Sequence, residues 1–228
     1  MPSSTVVSLT KHESWTKAGP VVSHLDDAEI SALEERAVAS TAEPSTLGLW
    51  AFATGTWIVG TVIAGFFPDT ALTGTIPILL VFAGLTQFIA GLFAFRRANM
   101  LAATAFCSFG AFNVATAFFF ALQAANTLGT SGPPMILQGF VLESFGFIAF
   151  ALTIAALRTN AALVLVLGTL CVGYVLTGIH NFNAGLVTIR DIGGWFLIVS
   201  AALAYYTGAA IVVNSAWKQT ILPIGGEA

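Results

Sequence analysis

The chain has 228 residues, 57% of them hydrophobic and only 8% charged, where a soluble domain carries about 25% charged residues. With a mean hydropathy of +0.88, this excludes an ordinary soluble protein and places the chain in the membrane class. The net charge of −3 includes no basic stripe, so nucleic acid is not an expected partner. Two cysteines, both inside apolar runs, give no disulfide framework.

The first 45 residues are polar and lack the apolar core of a cleaved signal peptide. Residues 1–45 therefore read as a cytoplasmic tail, largely disordered on composition. Within it, "HLDDAEISALEERAVAS" can form a short amphipathic helix, with Asp26 or Asp27 as cap and Ile30, Leu33 and Ala37 on one stripe.

Six apolar segments follow, each near the roughly 20 residues that cross about 30 Å of hydrocarbon. They run from Leu47 to Phe67, Ile76 to Phe95, Leu101 to Ala125, Met135 to Leu157, Ala161 to Ala184 and Ile192 to Val213. The expected fold is an all-α membrane domain over residues 46–214, because lipid leaves no water to satisfy a sheet edge. The breaks "RRAN" and "RTN" are short enough to force antiparallel hairpins, and residues 215–228 form a second tail. Seven basic residues (Lys11, Lys17, Arg36, Arg96, Arg97, Arg158 and Lys218) fall on one side of this topology, and Arg190 alone on the other. That bias puts both termini in the cytoplasm.

Ionisable residues inside the spans are few, while small and hydroxylated residues are dense. Span three offers Thr104 and Ser108, four apart on one face, followed by Phe109, Phe112 and Asn113. Hydroxyls, an amide and phenyl rings on one face suit a narrow path for a small polar solute. The glycines at 55, 60 and 65, and at 168, 173 and 178, recur every five residues, which keeps them off any single face. Glu143 is the one carboxylate deep in a span. Placing it there costs on the order of 2.5–3.5 kcal/mol, so it should face a cavity or a partner. It reads either as a pore-lining proton carrier or as a neutral acid hydrogen-bonding a neighbouring helix. His180 closes span five, either as a pH-responsive group at a pore mouth or as an interfacial histidine without a role. No metal-spaced cluster, phosphate loop or nucleophile elbow appears, so neither a cofactor nor an enzyme is expected.

"AGLTQFIAGLFAFRRANMLAATAFCSFGAFN", Ala83 to Asn113, resembles the signature of the acetate uptake transporter family. Gln87, Ala90, Gly91, Asn99, Thr104, Ala105, Phe106, Ser108, Gly110 and Phe112 carry the match. "QTILPIGGEA" resembles the family's C-terminal motif at Thr220 to Gly225, and "AEPSTLGLWAF" resembles its motif at the start of span one, which holds Pro44, Leu47 and Gly48. The resemblance covers about Glu43 to Gly225 and implies a six-helix protomer in a plasma-membrane homohexamer, with a separate solute path through each protomer. It implies movement of acetate and related short monocarboxylates, in some members succinate, by proton-linked or channel-like transport. It also implies a constriction at Phe52, Phe109 and Leu170, and a size-setting position at Ala204. Gln87, Thr104, Ser108, Asn113 and Asn181 complete the expected path. Four residues depart from the family pattern: Glu43 stands for Asn, Thr46 for Pro, Phe109 for Tyr, and Ala94 for an acid. Glu143 stands where relatives carry a small residue. Ammonium export and a membrane acetate sensor are the alternatives.

Overall fold

The structure, a computed structural model, describes Asp26, residues 28–33 and residues 41–225. Residues 28–33 are helical and belong to a unit separate from the bundle that begins at Glu43. They start with a reciprocal cap. The Glu29 amide donates to Asp26 Oδ1 (2.7 Å), and the Asp26 amide donates to Glu29 Oε2 (3.1 Å). Asp26 is thus the capping residue, while Asp27 and Ala37 lie outside the described residues.

Among the described residues, six helices are long and apolar enough to cross a membrane: α1 Ser45–Ile63, α2 Asp69–Arg96, α3 Met100–Ala124, α4 Pro133–Ala156, α5 Ala161–Phe182 and α6 Val187–Trp217. All six expected spans are present, with shifted ends. α1 stops at Ile63, short of Phe67, because Gly65 turns the chain at φ +83°. α2 starts at Asp69 rather than Ile76, and α6 at Val187 rather than Ile192. Both early starts contain charged residues that hydropathy alone assigns to loops, and Arg190 of α6 forms an ion pair with Asp69 of α2.

The helices close a ring in chain order, α6 returning to α1, and α3 touches α4 only sparsely. Small residues set the close approaches. A Cβ on Gly60 of α1 would lie 3.3 Å from the Gly194 carbonyl of α6, and one on Gly173 of α5 would lie 3.2 Å from that of Gly193. Glycines five apart face different neighbours, since five residues turn a helix through about 140°. Gly55 faces α2, Gly60 faces α6, Gly173 faces α6, and Gly178 faces α4. No single glycine seam runs down either helix.

α2 is irregular in its middle. Pro77 sits inside its first segment, and residues Val81–Thr86 form a π-helical turn before the α-helix resumes at Gln87. Such wide turns mark functional sites more often than ordinary helix does.

After α6, Lys218 turns the chain with a left-handed conformation (φ 53°). Asn214 then holds the returning segment, accepting from the Ile221 and Leu222 amides (2.8 and 2.9 Å) and donating to the Leu222 carbonyl (2.8 Å). Beyond it, the Ile224 and Gly225 carbonyls accept from the first amides of α5, Ala162 (3.1 Å) and Ala161 (2.6 Å). The C-terminal motif is therefore a strap that caps a membrane helix.

Candidate solute pathway

Two cavities enter the ring from opposite ends. The one on the strap side has a volume of about 310 Å³ and is bordered by Glu43, Ser45, Leu49, Phe52, Gln87 and Phe109 among others. Asn99 and Asn160, the N-caps of α3 and α5, also border it. Each accepts from an amide of its own helix, Ala102 at 3.1 Å and Leu163 at 2.9 Å. Three helix N-termini thus surround this mouth and give it a positive bias. The opposite cavity, about 930 Å³, opens among the other three loops, with Asn113, Tyr174, Thr177, His180, Asn181 and Arg190 on its wall.

Between them lies an aromatic layer. Phe109 is 2% exposed, and its ring centroid sits 6.0 Å from Phe52, 6.1 Å from Phe145 and 6.2 Å from Tyr174. Phe112 stacks nearer still, 4.4 Å from Phe145 and 5.4 Å from Tyr174. Phe52 and Phe109 border the strap-side cavity, and Phe112 and Tyr174 the opposite one. The layer is thus one or two rings thick.

One polar contact crosses this level. Asn113 Nδ2 donates to Gln87 Oε1 (3.1 Å) and to the carbonyl of Ala83 in the π-helical turn (3.1 Å). Gln87 borders one cavity and Asn113 the other. Gln87 is fully buried, yet its Nε2 has no hydrogen-bond partner.

Each mouth carries an ion pair. Glu43 accepts from Arg97 Nε at 3.1 Å on the strap side; on the other, Arg190 pairs with Asp69. Glu43, which departs from the family pattern, is therefore held by Arg97 of the α2–α3 hairpin. Glu43 also accepts from the Ser45 amide (3.2 Å).

The remaining expected path residues divide. Asn181 borders the larger cavity. Leu170 and Ala204 are fully buried in the apolar cluster that includes Phe52 and Phe109, and neither borders a cavity. Pro44 precedes α1 and accepts from the Gly48 amide (3.0 Å), while Gly48 is buried against Phe106. Leu47 is 44% exposed and points away; Leu49 takes its place on the cavity wall. Thr104 and Ser108 are half-buried and border neither cavity. The expectation that they share a face with Asn113 is wrong for a geometric reason. Nine residues separate Thr104 from Asn113, which puts them about 180° apart around the helix.

Glu143 lies away from the path within the protomer. It borders neither cavity, and its buried Oε1 has no hydrogen-bond partner. The carboxyl packs across the α4–α5 interface against Gly178, where an added Cβ would lie 2.5 Å from Oε1. His180 does border the larger cavity, and its buried Nδ1 has no partner.

Sequence reasoning passed over Phe145, Tyr174, Asn160 and the π-helical turn. Tyr174 gave a usable signal, as a hydroxylated ring inside an apolar run, and Asn160 gave another, as an amide just ahead of a span. Phe145 is one of 19 phenylalanines and gave none.

A ring of six apolar helices, hollow at both ends and sealed by aromatic rings in the middle, defines a multi-pass membrane protein built around a transmembrane path. The GPR1/FUN34/yaaH family pattern matches residues 28–224, and the chain belongs to that family. It is 31% identical over 186 residues to the succinate-acetate/proton symporter SatP of Escherichia coli K12, covering 81% of this chain and 95% of that one. It is 28% identical over 195 residues to acetate permease A of Emericella nidulans, covering 80% of this chain and 65% of that one. Among solved structures, the bacterial acetate channel SatP superposes with a TM-score of 0.74 at 28% identity, over 81% of this chain and 99% of that one.

Proposed function

We propose that this protein moves acetate and related short monocarboxylates, with succinate as a larger candidate, through each protomer. The observation that carries the reading is the pair of cavities separated by an aromatic layer, with the Gln87–Asn113 amide pair linking the two cavity walls. A hydrated ion entering either cavity meets rings that offer no replacement for its water, and a dry apolar constriction blocks conduction by dewetting. A small carboxylate differs in having an apolar methyl end that passes rings cheaply. Its charged end can exchange water for amide donors and the N-termini of α1 and α3.

Phe52 and Phe109 form the constriction in this reading, and Leu170 backs it from α5. Ala204 limits its width from α6, and Asn181 with His180 receives solute at the larger mouth. Pro44, Leu47 and Gly48 place the start of α1 at the narrower one. Both termini lie in the cytoplasm of a plasma-membrane homohexamer, with residues 1–45 as a tail, 46–214 as the membrane domain and 215–228 as a second cytoplasmic tail. No catalysis and no cofactor enter the account. The relatives named for acetate support the substrate class.

Labelled acetate uptake into proteoliposomes, with and without a pH gradient, tests the reading. Saturable uptake above protein-free vesicles is expected, and its acceleration by an inward proton gradient would identify coupled transport. Binding of acetate without uptake would make the protein a sensor and end this proposal.

A further inference from the structure

The Gln87–Asn113 contact has a direction, and the π-helical turn sets it. A side-chain amide can present either its oxygen or its nitrogen toward a neighbour. For Asn113 the choice is made by the Ala83 carbonyl, which can only accept. Asn113 Nδ2 faces that carbonyl at 3.1 Å. The same nitrogen carries a second hydrogen, which goes to Gln87 Oε1 at 3.1 Å. With its oxygen committed, Gln87 has only its Nε2 left, buried and unpartnered, on a residue that borders the strap-side cavity. A buried donor left unmade is costly, so the position demands an acceptor.

The fold around the pair keeps both amides in place. A Cβ on Gly84 of α2 would lie 2.6 Å from the Val114 side chain, and one on Gly110 of α3 would lie 2.7 Å from the Phe88 amide. That close approach of α2 and α3 is what lets the short Asn113 side chain reach both acceptors. Gly55 of α1 admits the π-helical turn on the other side, where an added Cβ would lie 2.5 Å from Ala83.

We propose that Asn113 is a positioning residue that holds the Gln87 amide with its N–H pair toward the strap-side cavity. The orientation selects a carboxylate over a neutral amide of the same shape. This deepens the transport reading and rests on it. Acetate offers two acceptor oxygens and no donor, so it matches a pure donor; acetamide offers one acceptor and one donor group. If the relay is reversed, the cavity presents Gln87 Oε1, which repels acetate and accepts from acetamide. Asn113→Asp reverses it, since a carboxyl group cannot donate to both the Ala83 carbonyl and Gln87 and becomes an acceptor for Gln87 Nε2.

The test is proteoliposome flux of labelled acetate and of acetamide, the latter by vesicle swelling, for the wild type and two variants. Asn113→Asp is expected to raise the half-saturating acetate concentration by about 10- to 100-fold, the worth of a charge-assisted hydrogen bond, and to raise acetamide flux relative to acetate. Gln87→Met keeps the shape, removes the donor and leaves Asn113 in place, so it should lose acetate affinity similarly without gaining acetamide. The double variant should be no worse for acetate than the weaker single one, because both changes remove the same donor. Acetate and acetamide falling in parallel would reduce Asn113 to a packing residue and overturn the proposal, as would unchanged acetate affinity in both variants. Where Asn113→Asp yields no folded oligomer, Gln87→Met decides. A wild type without acetate flux sinks the transport reading and the relay with it; wild-type flux with insensitive variants sinks the relay alone.

Discussion

Phe109→Ala removes the central ring of the aromatic layer, and the structure sets the size of the effect. The ring is 2% exposed and packs on Phe52, Phe145 and Tyr174 at centroid distances of 6.0–6.2 Å. Truncating a buried phenylalanine costs about 3–5 kcal/mol. Here the void opens into the 310 Å³ cavity that Phe109 already borders, so water can enter it and the cost should fall near about 3 kcal/mol. At about 2–4 °C per kcal/mol for a chain of this size, thermal unfolding in detergent should shift down by about 6–12 °C. The functional consequence is larger. With the ring gone, the two cavities approach continuity and the layer no longer dewets. Proteoliposomes loaded with chloride should hold their gradient with the wild type and lose it with the variant, while acetate uptake loses its preference over larger acids. A Phe109→Ala protein that melts as expected but stays tight to chloride, with an unchanged substrate range, would refute the aromatic layer as the barrier.

Leu170→Ala, at a fully buried position in the same apolar cluster as Phe109, should cost about 2–5 kcal/mol in stability and admit lactate; an unchanged substrate range in competition assays would confine Leu170 to core packing. Ala204→Phe puts a ring where the structure has no exposed surface, so acetate flux should vanish while the oligomer persists on size exclusion, and normal flux would remove Ala204 from the path. Glu143→Gln should leave flux and assembly nearly intact, since the carboxyl borders neither cavity; loss of proton-gradient stimulation in that variant would make Glu143 a proton carrier. Asn214→Ala removes three hydrogen bonds to the strap and should lower stability by about 1–3 kcal/mol and speed proteolysis after Lys218, whereas wild-type cleavage rates would deny the clasp.

The spans were legible in the sequence because hydrocarbon permits so few alternatives: every backbone group must pair within its own helix, and about 20 apolar residues must do it. Their ends were less so. Asp69 and Arg190 extend α2 and α6 by pairing with each other at the mouth, and a hydropathy reading cannot see a pair formed across 121 residues. Within the spans, local patterns reached only as far as one helix does. Thr104 and Ser108 do share a face, yet it is not the face that Asn113 presents to the ring interior. The π-helical turn at Val81–Thr86 rotates Gln87 relative to everything before it, and "VFAGLT" carries no spacing that announces it. Phe145 entered the layer through tertiary packing alone, while Tyr174 carried a signal in its hydroxyl that only the fold could place. The strap shows the opposite case, a short motif whose sequence was plain and whose role in capping α5 needed the fold.

The central claim is that solute crosses inside the protomer, through the two cavities and between the aromatic rings. Soaking the crystallised or vitrified protein in bromoacetate and locating bromine by its anomalous or difference density tests it most directly. The account predicts bromoacetate in the strap-side cavity with its carboxylate at Gln87 Nε2, and a second position in the larger cavity near Asn181. Bromine found only between protomers or on the lipid-facing surface, with both cavities empty at saturating concentration, would contradict it.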